Sequence, residues 1–329
     1  MGSSSSTVQL GPLRLTPAAA GALCCAVSVL GYSAANACMN QLSRMSCVST
    51  WAIGNKELVT VLAVGPWVLA QAWRGKSGFP RGRPLAILVA AGLATELIGN
   101  LGVQWGYQVV GMAVMVPAYT GFILVSSALL GRLLLGEKVS ARNMAAIGLV
   151  ILAVVLLGAG GGQGVPATAA KPPASPLAIA AAIAVAVAAG TVFALLGIAV
   201  RNCVTGTTSQ SAVMVIITGM GVLSLGPLSF ASAGAAKLLA TPWQQYALMS
   251  AAGICNLIAF TALVRGLHLT TVLHVYMLNA GQVALAAVAG IVFFGEDANG
   301  RLVLGVVIMI AGIFAFGSPV DQEAIDAHV

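Results

Sequence analysis

The sequence predicts an all-α integral membrane protein of ten transmembrane helices, arranged as two inverted repeats of five helices each. The first observation is composition, because 59% of the 329 residues are hydrophobic and only 7% are charged. Soluble domains carry about 25% charged residues, so this chain cannot present a polar surface to water. The second observation is a series of apolar runs, each close to the roughly 20 residues that cross a bilayer. The third is a helical hairpin pattern that occurs twice.

The N-terminal residues 1–16 are Ser-rich and polar, which predicts a disordered tail. The first helix is expected from about Pro17 to Met39. A secretory signal peptide is the alternative, because Arg14, an apolar run and the small residues 35–37 fit its pattern. We reject that alternative because the run is too long and because the repeat requires this helix.

Nine further apolar runs predict the remaining helices, at about 49–72, 84–106, 109–134, 142–160, 176–200, 209–232, 243–264, 268–294 and 300–317. The stretch from 158 to 176 is rich first in Gly and then in Pro, which predicts a linker. The predicted organisation is therefore a tail over 1–16, a first repeat over 17–160, a linker over 161–175, a second repeat over 176–317 and a tail over 318–329.

Each predicted half ends in the same hairpin: an apolar helix, a short polar turn and a second apolar helix. The residues that recur at a constant separation are Gly136, Glu137, Arg142 and Gly158 in the first copy and Gly295, Glu296, Arg301 and Gly317 in the second. Because each copy has an odd number of helices, the second copy must enter the membrane upside down. Inverted repeats of this kind place a substrate site at their interface, near the middle of the membrane.

The basic residues of the loops predict the orientation. With the N-terminus in the cytoplasm, the inner side receives Arg14, Arg74, Lys76, Arg81, Arg83, Arg132, Lys138, Arg142, Arg201 and Arg265. The outer side receives Arg44, Lys171, Lys237 and Arg301. This bias places both termini in the cytoplasm. The expected location of the chain is the plasma (inner) membrane. The net charge of +7 lies in short loops rather than along one face, so it does not indicate nucleic-acid binding.

The two turns carry a resemblance to a known family. The segments are 135–140, L-G-E-K-V-S, and 294–299, F-G-E-D-A-N, each after a long apolar helix and before a Gly-rich one. With the ten-helix plan and the central linker, they resemble the drug/metabolite transporter superfamily in its EamA-type branch, over about residues 17–317. The resemblance implies a ten-helix carrier that works by alternating access around a central cavity. It implies no particular substrate, and the polar residues of the ninth predicted helix depart from the usual pattern.

Charged side chains inside predicted helices are the first candidate site residues, because each costs about 2.5 to 3.5 kcal/mol at the bilayer centre. Lys56 is expected roughly 10 Å, and Glu96 roughly 15 Å, below the outer surface, at 1.5 Å per residue. These depths allow the two to pair. We expect both to line the cavity, with Glu96 as the proton-coupling candidate. The alternatives are a structural ion pair and a Lys56 side chain that extends to the surface. Glu57 is expected at the outer rim.

Uncharged polar residues within the predicted helices complete the candidate substrate-binding set: Asn36, Asn40, Asn100, Tyr119, Thr120, His274, Tyr276 and Asn279. For the asparagines the alternative is hydrogen bonding between helices. For His274 the alternative to a proton relay is a hydrogen-bonded packing residue. Glu137 and Glu296 lie at helix ends and are expected to be turn and packing residues.

The sequence therefore predicts a secondary transporter, a gradient-coupled exporter or exchanger for a small polar or amphipathic metabolite. Its expected partners are the lipid bilayer and a small-molecule substrate. No P-loop motif occurs, so ATP is not expected to drive transport. No enzyme activity, cofactor or metal site is expected, and none of the cysteines forms a C-x-x-C pair that would indicate a metal or redox site. The alternative is a non-transporting membrane subunit or a lipid-modifying membrane enzyme. An enzyme would need grouped His, Asp or Glu in a loop, and these loops are too short to hold such a cluster.

Overall fold

The structure, a computed structural model, describes most of the chain. The described residues are 8–10, 13–75, 78–135, 141–160, 175–204, 208–269, 272–296 and 298–315. The turn that contains Glu137, residues 161–174 of the predicted linker and the C-terminal tail lie outside these residues.

The described chain folds almost entirely into helices. In the N-terminal half these are α1 (Pro17–Arg44), α2 (Ser49–Trp73), α3 (Arg83–Ala94), a π-helical turn (Thr95–Asn100), α4 (Leu101–Val110), α5 (Met112–Leu135) and α6 (Ala141–Gly160). In the C-terminal half they are α7 (Pro176–Val204), α8 (Gln210–Ala233), α9 (Ala235–Leu239), α10 (Trp243–Leu269), α11 (Val272–Asn279), α12 (Gln282–Phe294) and α13 (Gly300–Ala315). The all-α prediction is confirmed.

Seven helical segments of the described chain are long and apolar enough to cross a membrane: Ala19–Arg44, Arg83–Val110, Met112–Leu130, Pro176–Val204, Gln210–Ala233, Trp243–Leu269 and Val275–Phe294. The apolar parts of α6 and α13 are shorter. Helix α2 is long enough, but the consecutive Asn55, Lys56 and Glu57 lower its hydropathy. The chain is therefore a multi-pass membrane protein.

The N-terminal segment has local structure where the sequence analysis expected a disordered tail. Two short strands, Val8–Leu10 and Leu13–Leu15, pair antiparallel ahead of α1. Helix α1 then begins at Pro17, where a missing backbone N–H costs nothing, and the Thr16 hydroxyl accepts a hydrogen bond from the Ala19 amide at 3.3 Å. The helix runs to Arg44, beyond the predicted end at Met39.

Two of the predicted helices are not regular α-helices. The third contains the π-helical turn Thr95–Asn100, so Glu96 and Asn100 lie where the helix is locally widened. The ninth is divided into α11 and α12, which are separated at residues 280–281. Both irregular segments contribute side chains to the cavity described below, in keeping with the observation that non-helical backbone inside a membrane lines cavities.

The two halves of the chain pack against each other helix by helix. The most extensive contacts join α1 to α10, α6 to α13, α2 to α8 and α5 to α7. Small residues allow this close approach: a Cβ atom at Gly31 on α1 would lie 2.8 Å from the Cβ of Ala259 on α10. Close backbone contact through Gly and Ala is typical of membrane helices, which have no hydrophobic driving force between them in lipid.

Candidate functional site

A cavity lies between the two halves, at the centre of the helix packing. It contains about 980 Å³ of empty space, open solvent at its mouth included. Its walls come from α1, α2, the π-helical turn, α4, α5, α7, α8, α10, α11 and α12. Cavities between packed helices are a common place for small-molecule binding.

Most of the polar residues singled out from sequence line this cavity: Asn36, Lys56, Glu96, Asn100, Tyr119, Thr120, Tyr276 and Asn279. The structure therefore brings eight of the ten candidate residues together at one cavity. Asn40 differs, because it is buried one turn further along α1 and does not line the cavity. His274 lies on α11, with a side chain outside the described residues.

Three charged side chains, Lys56, Glu57 and Glu96, form one cluster at the cavity wall, which we call the charged cluster. All three are buried, with 7%, 2% and 1% of their surface exposed. The Lys56 ammonium lies 2.8 Å from Oε1 of Glu57. Glu96 accepts a hydrogen bond from Nδ2 of Asn100 at 2.9 Å. Within the described residues these are the only charged side chains that line the cavity.

The charged cluster corrects the expectation for Glu57 and identifies the ion-pair partner of Lys56. Glu57 is a buried cavity residue rather than one of the outer rim, and Lys56 forms its ion pair with Glu57 rather than with Glu96. Neighbouring residues leave a helix about 100° apart, so this pair requires a side chain that can bend. The long, flexible lysine side chain overcomes that divergence by bending toward the adjacent carboxylate. Glu96 is thereby left with a neutral amide as its hydrogen-bond donor.

Helix α8 makes room for the two carboxylates. A Cβ atom at Gly221 would lie 2.9 Å from Cγ of Glu57 and 2.9 Å from Cδ of Glu96. Both acidic side chains therefore pack against the same bare stretch of backbone. Asn256 on α10 adds a long contact, with its Nδ2 donating to Oε2 of Glu57 at 3.5 Å.

A second part of the cavity lining, which we call the aromatic wall, is aromatic and amide-rich. Nδ2 of Asn36 donates to the Tyr119 hydroxyl at 3.0 Å and lies 3.5 Å from Oε1 of Gln282. The Tyr276 hydroxyl donates to the carbonyl oxygen of Phe193 at 2.8 Å. The aromatic residues that line the cavity are Tyr32, Tyr119, Phe193, Phe260 and Tyr276. The aromatic wall offers aromatic side chains, whereas the charged cluster offers carboxylates.

Three buried polar atoms at the cavity have no hydrogen-bond partner among the described residues. They are Oγ1 of Thr95, Oγ1 of Thr120 and Oδ1 of Asn279. The Asn279 amide nitrogen donates to the carbonyl oxygen of Val275 at 3.1 Å, which leaves its oxygen as a bare acceptor. Buried polar atoms are usually paired, so these three mark positions where a ligand can complete a hydrogen bond.

Several cavity residues were not chosen as site residues from the sequence: Tyr32, Glu57, Thr218, Asn256 and Gln282. The repeat offered a way to find Asn256, because it occupies the place in the eighth predicted helix that Asn100 holds in the third. Gln282 lies one helical turn from Asn279 in the polar part of the ninth. In the described residues, no three His, Cys, Asp or Glu side chains are grouped so that they could hold a metal ion.

Glu296 has the packing role that was expected of it. It is 3% exposed and accepts hydrogen bonds from the backbone amides of Met112 at 3.0 Å and Ala113 at 2.9 Å. Arg44 at the end of α1 lies 3.9 Å from the same carboxylate. Glu296 thus joins the turn before α13 to the first turn of α5, away from the cavity lining.

Comparison with known proteins finds likeness at the level of the fold. No family model matches the chain. No curated protein matches it either. A solved structure described as "Crystal structure of protein" matches over 90% of this chain and 96% of its own, with a TM-score of 0.58 and 18% sequence identity. At that identity, the match shows that the two chains share a fold.

Proposed function

We propose that the chain is a secondary transporter, which moves a small polar or amphipathic metabolite by alternating access through the central cavity. One observation carries the proposal: buried ionisable side chains face a cavity enclosed between the two halves of a multi-pass membrane protein. Ionisable residues at membrane depth mark substrate and ion pathways, and transporters place such sites where their two halves meet.

The proposal includes ten membrane-crossing segments in two inverted repeats. The contacts between helices support this plan. If the two halves are related by two-fold symmetry, each contact between a helix of one half and a helix of the other has a counterpart between the two equivalent helices. The pair α1–α10 has its counterpart in the packing of α7 against the α3–α4 segment. The pair α5–α7 has its counterpart in the packing of α1 against α11 and α12. The resemblance of the two turns to EamA-type drug/metabolite transporters supports the same plan.

The proposed topology has both termini in the cytoplasm and the chain in the plasma (inner) membrane. Its support is the excess of Lys and Arg on one side of the predicted loops. The topology is tested with Lys171→Cys in a variant that lacks native cysteines. An impermeant thiol reagent should label this position in intact cells. Labelling only after the membrane is permeabilised would reverse the topology.

Glu96 is the proposed proton-coupling residue. Lys56 is engaged by Glu57, so Glu96 shares the cavity wall with a second carboxylate and has a neutral amide as its donor. Ionisable carboxylates at membrane depth form proton relays in transporters, so we propose that Glu96 exchanges a proton during the transport cycle.

Proteoliposomes test the proposal. The purified protein is reconstituted with a pH-sensitive dye inside, and a panel of small metabolites is added outside under an imposed pH gradient. We expect at least one metabolite to change the internal pH, and Glu96→Gln to remove that change. Glu323→Gln, which removes a carboxylate from the predicted C-terminal tail, is the matched control and should behave as the unmodified protein. Metabolite-driven proton movement that persists in Glu96→Gln would exclude Glu96 from coupling.

A further inference from the structure

We propose that the central cavity selects an organic cation, an amine that carries an apolar or aromatic body. This inference rests on the proposed function, because it names the chemical class that the same cavity would carry. Three independent features of the cavity lead to it: its charge balance, its aromatic wall and its unpaired acceptors.

The charge balance is negative. Lys56 and Glu57 form a close ion pair at 2.8 Å, and the cavity lining in the described residues offers no second cation to balance Glu96. When all three groups are ionised, the charged cluster therefore carries one net negative charge. An uncompensated charge at membrane depth is costly, and a positively charged ligand beside Glu96 relieves that cost. A bound anion would increase it.

The aromatic wall favours a cation over a neutral ligand of the same shape. Five aromatic side chains line the cavity, and Tyr119 and Phe193 pack edge to face with their ring centroids 5.7 Å apart. Aromatic faces attract ammonium groups and also bind apolar surface. A ligand with an ammonium at one end and an apolar body at the other matches the charged cluster and the aromatic wall.

The unpaired acceptors require a ligand that donates hydrogen bonds. Oδ1 of Asn279 is buried and can only accept, and the Glu96 carboxylate accepts from a single amide. A primary ammonium has three N–H donors and no acceptor. It therefore suits this lining better than a carboxylate, which has acceptors alone.

The test uses four small molecules that share a phenyl ring and a short carbon chain but differ in charge. They are phenethylamine, 2-phenylethanol, phenylalanine and 3-phenylpropionate: a cation, a neutral molecule, a zwitterion and an anion. Binding to the purified full-length protein in detergent is measured by equilibrium dialysis, and thermal unfolding is followed in parallel. We expect phenethylamine to bind at least about tenfold more tightly than 2-phenylethanol, a difference typical of a charge-assisted hydrogen bond. We expect 3-phenylpropionate to bind weakest.

Two variants test whether Glu96 is responsible for the preference for the cation. Glu96→Gln should reduce the binding of phenethylamine to that of 2-phenylethanol, whereas Glu96→Asp keeps the charge and should keep the order. Should Glu96→Gln fail to fold, Glu96→Asp and the four-ligand order in the unmodified protein still decide the matter. The inference is overturned if phenethylamine does not bind. It is also overturned if at least one of the other three molecules binds as tightly as phenethylamine. So does an unchanged preference in a folded Glu96→Gln protein.

The outcome is separable from that of the proposed function. If phenethylamine binds as expected but no ligand is moved across proteoliposome membranes, transport fails and the cation site stands. If a metabolite is transported but the amine does not bind, the cation site fails and transport stands.

Discussion

Two buried glutamates in this molecule, Glu296 and Glu96, have contrasting surroundings. Glu296, in the turn before α13, accepts hydrogen bonds from two backbone amides at the start of α5 and has Arg44 nearby. The first amides of a helix have no partner inside it, and the helix dipole favours a negative charge there. Gly111 has a φ of 78° immediately before that helix, where a Cβ would also lie 2.9 Å from the carboxylate. The backbone is thus shaped around Glu296.

Glu96 is buried to a similar extent, at 1% exposed against 3% for Glu296, yet its surroundings are incomplete. It accepts from one neutral amide, faces the carboxylate of Glu57 and lines an open cavity. Burial alone therefore does not separate a structural carboxylate from one available to a ligand or proton. The difference lies in the number and charge of the donors around each group.

The largest effect is expected from Lys56→Met. The substitution removes the ammonium but leaves Glu57 and Glu96 together in a buried site. Breaking a buried ion pair by removing one partner costs about 3 to 5 kcal/mol, so we expect a large fall in melting temperature. Lys56→Met combined with Glu57→Gln should recover most of the loss. A double variant as unstable as Lys56→Met alone would show that Glu57 is not the partner that matters.

A smaller loss is expected from Glu296→Ala, which leaves the Met112 and Ala113 amides without their acceptor. Losing hydrogen bonds to a charged group costs about 1.5 to 3 kcal/mol, and we expect the melting temperature to fall accordingly. Residual folded protein should retain the ligand order of the unmodified protein, because Glu296 does not line the cavity. A variant of normal stability would contradict the structural role assigned to this residue.

Gly221→Ala tests the packing of the charged cluster. The added methyl group would lie within 2.9 Å of both Glu57 and Glu96, and overpacking costs about 1 to 3 kcal/mol. The matched control is Gly219→Ala on the same helix, where nothing lies within 4 Å of the new Cβ. We expect reduced ligand binding and a lower melting temperature in the first variant only. Equal behaviour of the two variants would argue against close packing of the carboxylates on α8.

The smallest effect on stability is expected from Glu96→Gln. This change keeps the shape and a carbonyl acceptor for Asn100 and removes one of two neighbouring carboxylates. We expect the melting temperature to change by the equivalent of less than about 1 kcal/mol, because the lost hydrogen-bond strength is offset by relief of like-charge repulsion. A loss as large as that of Glu296→Ala would place Glu96 among the structural residues.

The sequence could predict where the helices lie and much of the cavity lining. Apolar runs report which segments are buried in lipid, and polar interruptions such as Asn36, Glu96 and Asn279 report where that burial is costly and needs a reason. An apolar run is recognised from the average hydropathy of a segment, and a polar interruption from its depth in the membrane. Neither prediction requires knowledge of which side chains are in contact.

Partner choice and local helix geometry could not be predicted in this way. The predicted depths place Lys56 and Glu96 within reach of each other. Which carboxylate pairs with Lys56 depends, however, on the direction in which each side chain leaves its helix. The π-helical turn at Thr95–Asn100 shifts that direction for Glu96, and a hydrophobic run does not reveal a π-helical turn. Flexibility of the Lys56 stem then allows the contact with Glu57, which spacing on an ideal helix disfavours.

Access to the cavity from both membrane surfaces is the most direct test of the proposed transport. Thr218 lines the cavity, and Thr60 is equally buried without lining it, so Thr218→Cys and Thr60→Cys form a matched pair. Each is made in a variant without native cysteines and exposed to a membrane-impermeant thiol reagent, from outside in intact cells and from inside in inverted vesicles. Alternating access predicts that Thr218→Cys reacts from both sides and that Thr60→Cys reacts from neither. Reaction of Thr218→Cys from one side only, or from neither, would contradict it.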